Sequence, residues 1–238
     1  MQTYDDSKFF NAYSRMDRSR YGLSAAGEWH QLEKLFPNVS GMAVLDIGCG
    51  YGWHCKYCAE HGAASVLGID ASKAMVAEAE KRNSASNITY KICSLEDYDY
   101  PAETFDLILS NLVLHYVEDL SSVYGKVHQA LKPCGIFLFN IEHPTFTACP
   151  GQDWVRKDGK AIYWPVDRYF YPGERDTDFL GCKVKKYHHT LTQILNGLLR
   201  CGFTLDAVVE AMPSDDMATI MPDEMRRPMM LLARGIKE

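Results

Sequence analysis

The chain has 238 residues, of which 47% are hydrophobic, and a formal net charge of −6. This length fits one α/β domain with an elaboration, because single domains of this class reach about 250 residues. The acidic total argues against a protein that binds nucleic acid through a basic face, and the lack of any run of about 18 apolar residues predicts no membrane span. The first residues, Met1–Asp6, lack the basic and apolar regions of a secretory signal, so we expect a cytoplasmic protein.

Residues 1–40 predict helices that precede the sheet. Phe9–Tyr13 and Trp29–Phe36 each carry aromatic and apolar residues at helical spacing, and Pro37 ends the second helix. These aromatics either pack against the edge of the sheet or, as the family resemblance given below implies, cap a bound ligand. Tyr13 is the candidate that this resemblance gives for such a cap.

A glycine-rich turn organises the rest of the chain. The apolar run Val44–Ile47 is followed by a predicted helix, Trp53–Glu60, and the turn between them carries glycines at positions 48, 50 and 52. Strand, glycine-rich turn and helix form the first unit of an open α/β sheet, which binds ligands at this turn. Glycine suits the turn because it has no Cβ to hold a ligand away from the backbone.

The spacing of these glycines distinguishes between nucleotide cofactors. The order G-x-G-x-G differs from the G-x-G-x-x-G of dinucleotide sites, in which a helix N-terminus holds the pyrophosphate. Asp46 lies two residues before the first glycine. A carboxylate there would repel a pyrophosphate but could serve a cationic ligand.

Cys55 and Cys58 form a C-x-x-C next to His54, which can be half of a zinc site. No second such pair completes it, and both cysteines share one face of the predicted helix. We therefore interpret them as packing residues and predict no metal site. The eight scattered cysteines fit reduced thiols better than a disulfide framework.

The second predicted strand, Ala64–Asp70, ends in an acid. At the tip of this strand Asp70 can accept hydrogen bonds from the ribose hydroxyls of a nucleoside, a feature that NAD enzymes share. Ser72 is a predicted N-cap of the helix Lys73–Arg82, whose apolar face includes Met75.

Further strands and helices continue the alternation. Strands are predicted at Ile88–Ile92, Phe105–Leu109 and Ile136–Ile141, and a helix at Leu120–Leu131. Strands in regular alternation with helices predict a doubly wound α/β sheet.

Two of these stretches carry a family resemblance. Val44–Gly52 resembles motif I of the class I S-adenosylmethionine-dependent methyltransferases, and Phe105–Asn111 resembles their motif IV. The resemblance implies a Rossmann-like, seven-stranded, mostly parallel sheet that ends in an antiparallel pair, here Phe203–Glu210 and Pro228–Gly235. It also implies S-adenosylmethionine as cofactor and S-adenosylhomocysteine as product.

The resemblance and the place of Asp70 give a set of expected cofactor contacts. Ser94 stands where the family often has an Asp that accepts from the adenine amino group, and Leu95 would contact the ring through its backbone. Ser110 and Asn111 would lie beside the transferable methyl group. The full set is Tyr13, Asp46, Gly48, Gly50, Asp70, Ala71, Met75, Ser94, Leu95, Glu96, Ser110 and Asn111.

Residues 142–182 interrupt the alternation and are rich in aromatic residues, with a predicted hairpin turn at Asp158–Gly159. Long irregular segments are usually functional or disordered, and the aromatic content argues against disorder. We predict a substrate lid, with a dimerisation flap as the alternative. A strand at Lys183–Thr190 and a helix at Leu191–Cys201 then return to the sheet. The predicted parts are a helical cap (1–40), a cofactor-binding core (41–141), the lid (142–182) and the completion of the sheet (183–238).

The function predicted is methyl transfer to an oxygen or nitrogen of a small molecule. The runs His143-Pro144-Thr145-Phe146 and Lys186-Tyr187-His188-His189-Thr190 resemble a bacterial subgroup of small-molecule methyltransferases of type 11/25. His115, His143 and His188 are the candidate general bases, although a neutral amine acceptor would need none.

Other functions stay open at this point. The first is a dehydrogenase, which the glycine spacing opposes, and the second is a non-catalytic S-adenosylmethionine-binding protein. The third is an RNA or protein methyltransferase, which a positive strip at Lys183, Lys185 and Lys186 would favour. We expect a small-molecule substrate, neither nucleic acid nor membrane as partner, and a monomer or homodimer.

Overall fold

A computed structural model describes residues 3–149 and 151–238 of the chain. The N-terminal part is a series of short helices and 3₁₀ turns: Thr3–Asp5, α1 (Ser7–Tyr13), α2 (Asp17–Tyr21), Gly22–Ala25, α3 (Trp29–Leu32) and Glu33–Leu35. The second predicted helix is thus shorter than expected and tightens into a 3₁₀ turn. Gly22 separates α2 from α3 with a φ of +70°, and a Cβ there would lie 2.7 Å from the Trp53 ring. Only glycine fits this close approach.

The alternating part follows in chain order. Its elements are β1 (Ala43–Ile47), α4 (Trp53–Glu60), β2 (Ser65–Asp70), α5 (Lys73–Arg82), β3 (Ile88–Ile92), β4 (Phe105–Asn111), the 3₁₀ turn Leu114–Tyr116, α6 (Leu120–Ala130) and β5 (Leu131–Glu142). The Ser72 hydroxyl accepts a hydrogen bond from the Met75 backbone, which confirms the predicted N-cap. Cys55 and Cys58 are fully buried on α4, so the prediction that they pack in the core is also confirmed.

Strand β5 begins earlier than predicted. Leu131 pairs with Phe105 and Ile136 pairs with Leu107, so residues 132–135 bulge out of the ladder. Cys134 has a φ of +61° within this bulge. Pro133 lies within this bulge, because it has no N–H to donate to the ladder.

The segment between β5 and the next long helix, residues 143–190, is called the insertion here. It contains α7 (Pro144–Ala148), β6 (Val155–Lys157), β7 (Lys160–Tyr163), β8 (Gly173–Phe179) and β9 (Cys182–His188). The predicted turn at Asp158–Gly159 joins β6 to β7, with φ of +50° and +76°.

One predicted boundary is wrong. The strand expected to return to the main sheet, β9, pairs instead with β8 in a separate two-stranded sheet. The expected lid boundary at residue 182 therefore cuts through a hairpin. Leu180 and Gly181 make its tight turn with φ of +53° and +73°, which suits a two-residue hairpin loop.

The chain then completes the main sheet. The elements are α8 (Leu191–Arg200), β10 (Phe203–Ala211), α9 (Asp215–Ile220), the 3₁₀ turn Pro222–Arg226 and β11 (Met230–Lys237). Residues 212–229, which connect β10 to β11, are called the strap here. Helix α8 begins with a capping box formed by Thr190 and Gln193.

The main sheet has seven strands in the order β10-β11-β5-β4-β1-β2-β3. Strands β1 to β5 pair in parallel, and β11 runs antiparallel to both β5 and β10. Alternate residues enter separate hydrophobic clusters on its two faces, as Leu45 and Val44 do. The doubly wound, mostly parallel sheet predicted from the sequence is thus confirmed. None of the helices in the described part of the chain combines the length and apolar character that a membrane crossing requires.

Candidate active site

A cavity of about 700 Å³ lies at the carboxyl ends of the parallel strands. Its floor is formed by residues that follow β1 to β4, and Glu142 closes it at the end of β5. Its walls come from the N-terminal helices, the insertion and the strap. Ligands of open α/β sheets bind at this edge, and the volume is in the range of ligand sites.

The glycine turn forms the floor of the cavity next to β1. Gly48 has a φ of +74°, and a Cβ on it would collide with the side chain of Val113. Gly50 has a φ of +52°, and a Cβ there would meet nothing within 4 Å, because it would enter the open cavity. The backbone at Gly50 is therefore accessible to a ligand.

Asp70 fixes this turn and faces the cavity. Its Oδ2 accepts a hydrogen bond from the Gly50 N–H at 2.9 Å, and its Oδ1 accepts one from the Ser72 N–H at 2.8 Å. Burial raises the pKa of Asp70, and the two backbone donors oppose that shift. Each carboxylate oxygen keeps a lone pair for a hydroxyl donor of a ligand.

Most of the predicted cofactor residues come together at this cavity. Those that line it are Tyr13, Gly48, Gly50, Asp70, Ala71, Met75, Ser94, Leu95, Glu96 and Asn111. Ser94 lies there without the charge of the carboxylate that the resemblance implied, and its hydroxyl donates to Asp97 at 2.8 Å.

Asp46 and Ser110, two of the predicted cofactor residues, do not line the cavity. Asp46 is 1% exposed beneath the turn, where the Cys55 thiol donates to its Oδ2 at 3.4 Å. Burial raises the pKa of Asp46 to about 7. Ser110 is also buried, and it lines a small crevice next to Asn111, Leu32 and Phe36.

Asn111 is held in place by a chain of buried polar groups. The Asn140 amide nitrogen donates to Asn111 Oδ1 at 2.9 Å and to Glu28 Oε1 at 3.3 Å. Arg18 in turn donates to both Glu28 oxygens, at 2.8 and 2.6 Å. The side-chain oxygen of Asn111 is thereby fixed in place, and its side-chain amide nitrogen can still donate a hydrogen bond to a ligand.

A second polar cluster lies at the far end of the cavity. Lys186 Nζ is 2.5 Å from Glu142 Oε1, and the Gln152 amide donates to Glu142 Oε2 at 3.1 Å. Burial alone would raise the pKa of Glu142, but His115, Lys186 and Gln152 together hold it below its ordinary value. Glu142 is therefore ionised and lies 3.9 Å from His115 Nε2.

His115 is the one candidate base that lines the cavity. It is 3% exposed, and burial lowers its pKa to about 4, so the imidazole is neutral near pH 7. Its Nδ1 is buried and has no hydrogen-bond partner among the residues that the structure describes. A neutral imidazole has one ring nitrogen that can accept a proton.

His143 and His188 do not line the cavity, so the hypothesis that either is the base stays a prediction. His143 Nδ1 accepts from the Thr145 N–H at 3.1 Å and caps α7. Both His188 ring nitrogens have partners, Thr147 Oγ1 at 2.7 Å and the Tyr169 carbonyl at 2.9 Å. Both histidines therefore make contacts within the insertion.

Glu142 and Lys186 belong to the cavity lining, although Glu142 was not predicted there and Lys186 was predicted on an exposed positive strip. Glu142 is the first charged residue after the apolar run of β5, and that position was the available signal. Lys186 shares with Val184 the buried face of β9 and is 3% exposed. The other two lysines of the predicted positive strip are exposed, but a carboxylate offsets the charge of each. The distances are 2.8 Å for Lys183 and 2.6 Å for Lys185.

These features fit a nucleoside. The open backbone at Gly50 admits a close approach, Asp70 offers acceptors for ribose hydroxyls, and Leu95 lies in the floor after β3. Within residues 3–149 and 151–238 no cluster of three or more His, Cys, Asp or Glu side chains could hold a metal ion.

Comparisons with known proteins agree with this fit. A sequence profile described as a methyltransferase domain matches residues 45–139. The crystal structure of an S-adenosylmethionine-dependent methyltransferase from Mesorhizobium loti is 41% identical, with a TM-score of 0.84 over 91% of this chain and 100% of that one. An uncharacterised protein of Haemophilus influenzae is 30% identical over 224 residues, which are 90% of this chain and 88% of that protein.

A relative with a named activity matches over a shorter stretch. The malonyl-[acyl-carrier protein] O-methyltransferase of Salmonella typhimurium is 30% identical over 152 residues, or 60% of this chain. The match spans 57% of that relative's length. One assignment follows from three observations. They are the matching profile, the solved structure that coincides over nearly the whole chain, and the cavity whose residues fit a nucleoside. The chain belongs to the S-adenosylmethionine-dependent methyltransferases, and S-adenosylmethionine is its cofactor.

Proposed function

We propose that the methyl acceptor is a hydroxyl group of a small molecule and that the imidazole of His115 takes its proton. The observation that carries this proposal is the neutral imidazole in the cavity wall beside the ionised Glu142. An amine that arrives neutral needs no such base, whereas a hydroxyl loses a proton when it is methylated.

The residues of this chain have separable roles. Bound S-adenosylmethionine supplies a methyl group on a positively charged sulfur. Gly50 and Asp70 orient the nucleoside. Asn111, which Asn140 holds in place, orients the part of the ligand that lies next to it. His115 holds the acceptor's proton on its imidazole ring, and the carboxylate of Glu142 stabilises the imidazolium that results.

The same elements exclude water. The Tyr4 and Tyr116 hydroxyls are 3.0 Å apart and close the cavity from the N-terminal side. Phe179 and Val184 of the insertion form part of the opposite wall. A dry cavity strengthens the attraction between Glu142 and the imidazolium, because Coulomb forces are less screened there.

Two other observations support a small oxygen acceptor over the alternatives. The lysines that suggested an RNA substrate are paired with carboxylates, and the net charge is −6. The Salmonella typhimurium relative is an O-methyltransferase by name. A non-catalytic binding protein would not need a buried base at the acceptor end of the cavity.

The test is a His115→Ala variant assayed with a panel of phenols, aliphatic alcohols and amines. We expect kcat for a hydroxyl acceptor to fall by about 10²- to 10⁴-fold, the usual contribution of a general base. Affinity for S-adenosylhomocysteine, measured by calorimetry, stays unchanged. His61→Ala is the matched control, because His61 is exposed and bonds only its own helix. Full turnover in His115→Ala, or methylation of amines alone, would contradict the proposal.

A further inference from the structure

The strap, residues 212–229, covers the cavity but buries little of itself. Helix α9, which the structure describes in full, has no buried residue. Its Met217, and Met221 just after it, line the cavity. A helix packed on a protein core normally buries an apolar stripe, so the apolar side of α9 faces a space that a ligand can fill.

Both ends of the strap are attached to other parts of the molecule. On one side the Met212 N–H donates to Gln31 Oε1 at 2.8 Å. Met217 also packs closely against Gly27, because a Cβ added to Gly27 would lie 2.5 Å from Met217 Sδ. On the other side Arg226 donates to the Ala161 carbonyl of the insertion at 2.9 Å. The strap therefore spans the cavity between the N-terminal helices and the insertion.

Methionine is the main apolar residue on this side of the cavity. Met217, Met221, Met229 and Met230 all contribute to the lining. Met221 is also 47% exposed, which places it at the mouth. Methionine side chains are unbranched and flexible, so a wall of them adapts to an apolar group of variable shape better than branched or aromatic residues do.

We propose that the strap methionines bind a flexible apolar chain of the acceptor, which makes the acceptor an amphipathic alcohol or phenol. The hydroxyl lies at His115, and the chain runs along the methionines and leaves the cavity at Met221. The hydroxyl end rests on the proposed function, whereas the binding of the chain rests on the strap alone.

The test uses para-alkylphenols from methyl to hexyl, titrated by calorimetry into the protein saturated with S-adenosylhomocysteine. We expect affinity to rise by about fourfold for each added methylene that is buried. In the double variant Met217→Gln, Met221→Gln the gain per methylene falls toward none. Met225→Gln is the control, because Met225 lies on the same strap, is 53% exposed and does not line the cavity.

The outcomes separate this proposal from the proposed function. Affinity that does not depend on chain length in the natural protein, or a chain-length gain that survives in the double variant, overturns the proposal. Unchanged binding of S-adenosylhomocysteine shows that the double variant is folded. A chain-length gain without methyl transfer to any phenol supports the strap site and contradicts the hydroxyl proposal.

Discussion

Asp46 shows at the scale of one residue how a correct motif can mislead about a side chain. Its position before the glycines suggested a carboxylate that faces a cationic ligand. The structure buries it, with Oδ2 beside the Cys55 thiol and no partner for Oδ1 among the described residues. Burial without a charged partner disfavours the ionised form, which is why the pKa rises to about 7.

A pH-dependent stability follows from Asp46. Between its ordinary pKa of 3.8 and about 7, the folded chain keeps a proton that the unfolded chain has released. The free energy of unfolding therefore falls as pH rises through this window and is level above it. Asn does not titrate, so the free energy of unfolding of Asp46→Asn does not fall in this window. The difference between the variant and the natural protein therefore grows in favour of the variant by on the order of 3 kcal/mol from pH 4 to pH 8.

Urea unfolding of both proteins at several pH values measures this difference. Burial lowers the pKa of His54 and of His115 to about 4, which gives the opposite slope between about pH 4 and 6.5. Both proteins share that slope, so it cancels in the comparison. A difference that stays constant over the pH range would show that Asp46 ionises normally.

The residues that could be predicted are those whose position follows from the chain itself. Gly48, Gly50 and Asp70 lie directly after strands in a recognisable order, so their place at the sheet edge was foreseeable. Lys186 owes its position to the pairing of β9 with β8, a long-range feature that local pattern does not show.

The same division holds among the elements. Helices α4 and α5 and strand β3 were foreseen with the bounds that the structure has, because their caps and periodicity are local. The strap was not foreseen. The Ser214 hydroxyl caps α9 by accepting from the Met217 N–H at 3.4 Å, a signal that was present in the sequence. A six-residue helix is too short for periodicity to show.

Arg227 joins the strap to the insertion and can be tested as an element-level contact. Its guanidinium lies 4.4 Å from the centre of the Trp164 ring and 4.9 Å from that of Phe146, and it pairs with Glu224 at 2.9 Å. We expect Arg227→Ala to lower the free energy of unfolding by about 1–3 kcal/mol and to speed proteolysis within the strap. Affinity for S-adenosylhomocysteine stays unchanged, because Arg227 does not line the cavity.

The control for this contact is Arg156→Ala in the same insertion. Arg156 is 48% exposed and lies 3.7 Å from Asp153, so its loss should change stability by under about 0.5 kcal/mol. Equal effects of the two substitutions, or a strap that resists protease in Arg227→Ala, would show that the contact of Arg227 with Phe146 and Trp164 does not hold the strap.

At the scale of the whole molecule, the cavity draws on every part of the chain, from Tyr4 to Met230. A ligand that fills it stabilises the folded state as a whole. The sequence predicted the sheet that forms the floor but not the arrangement of the walls. The floor repeats a regular unit, whereas the walls depend on contacts between segments that are distant in sequence, such as Met212 with Gln31.

This coupling predicts a thermal shift. S-adenosylhomocysteine at about 100 times its dissociation constant should add about 2.7 kcal/mol to the free energy of unfolding and raise Tm by roughly 5–10 °C. NADH at the same concentration should leave Tm unchanged, because the glycine spacing does not suit a pyrophosphate. Scanning calorimetry with each nucleotide gives the answer. A shift with NADH and none with S-adenosylhomocysteine would contradict the account of the site.

The position of β11 between β5 and β10 has a consequence during synthesis on the ribosome. Residues 143–229 must emerge after β5 before its partner β11 exists, which takes roughly 4–17 s at about 5–20 residues per second. Throughout that time the run Ile136–Ile141, apolar except for Asn140, has an unpaired edge. Such an edge recruits strands from other nascent chains. We therefore expect the yield of folded protein to depend on translation rate and on chaperones that shield β5.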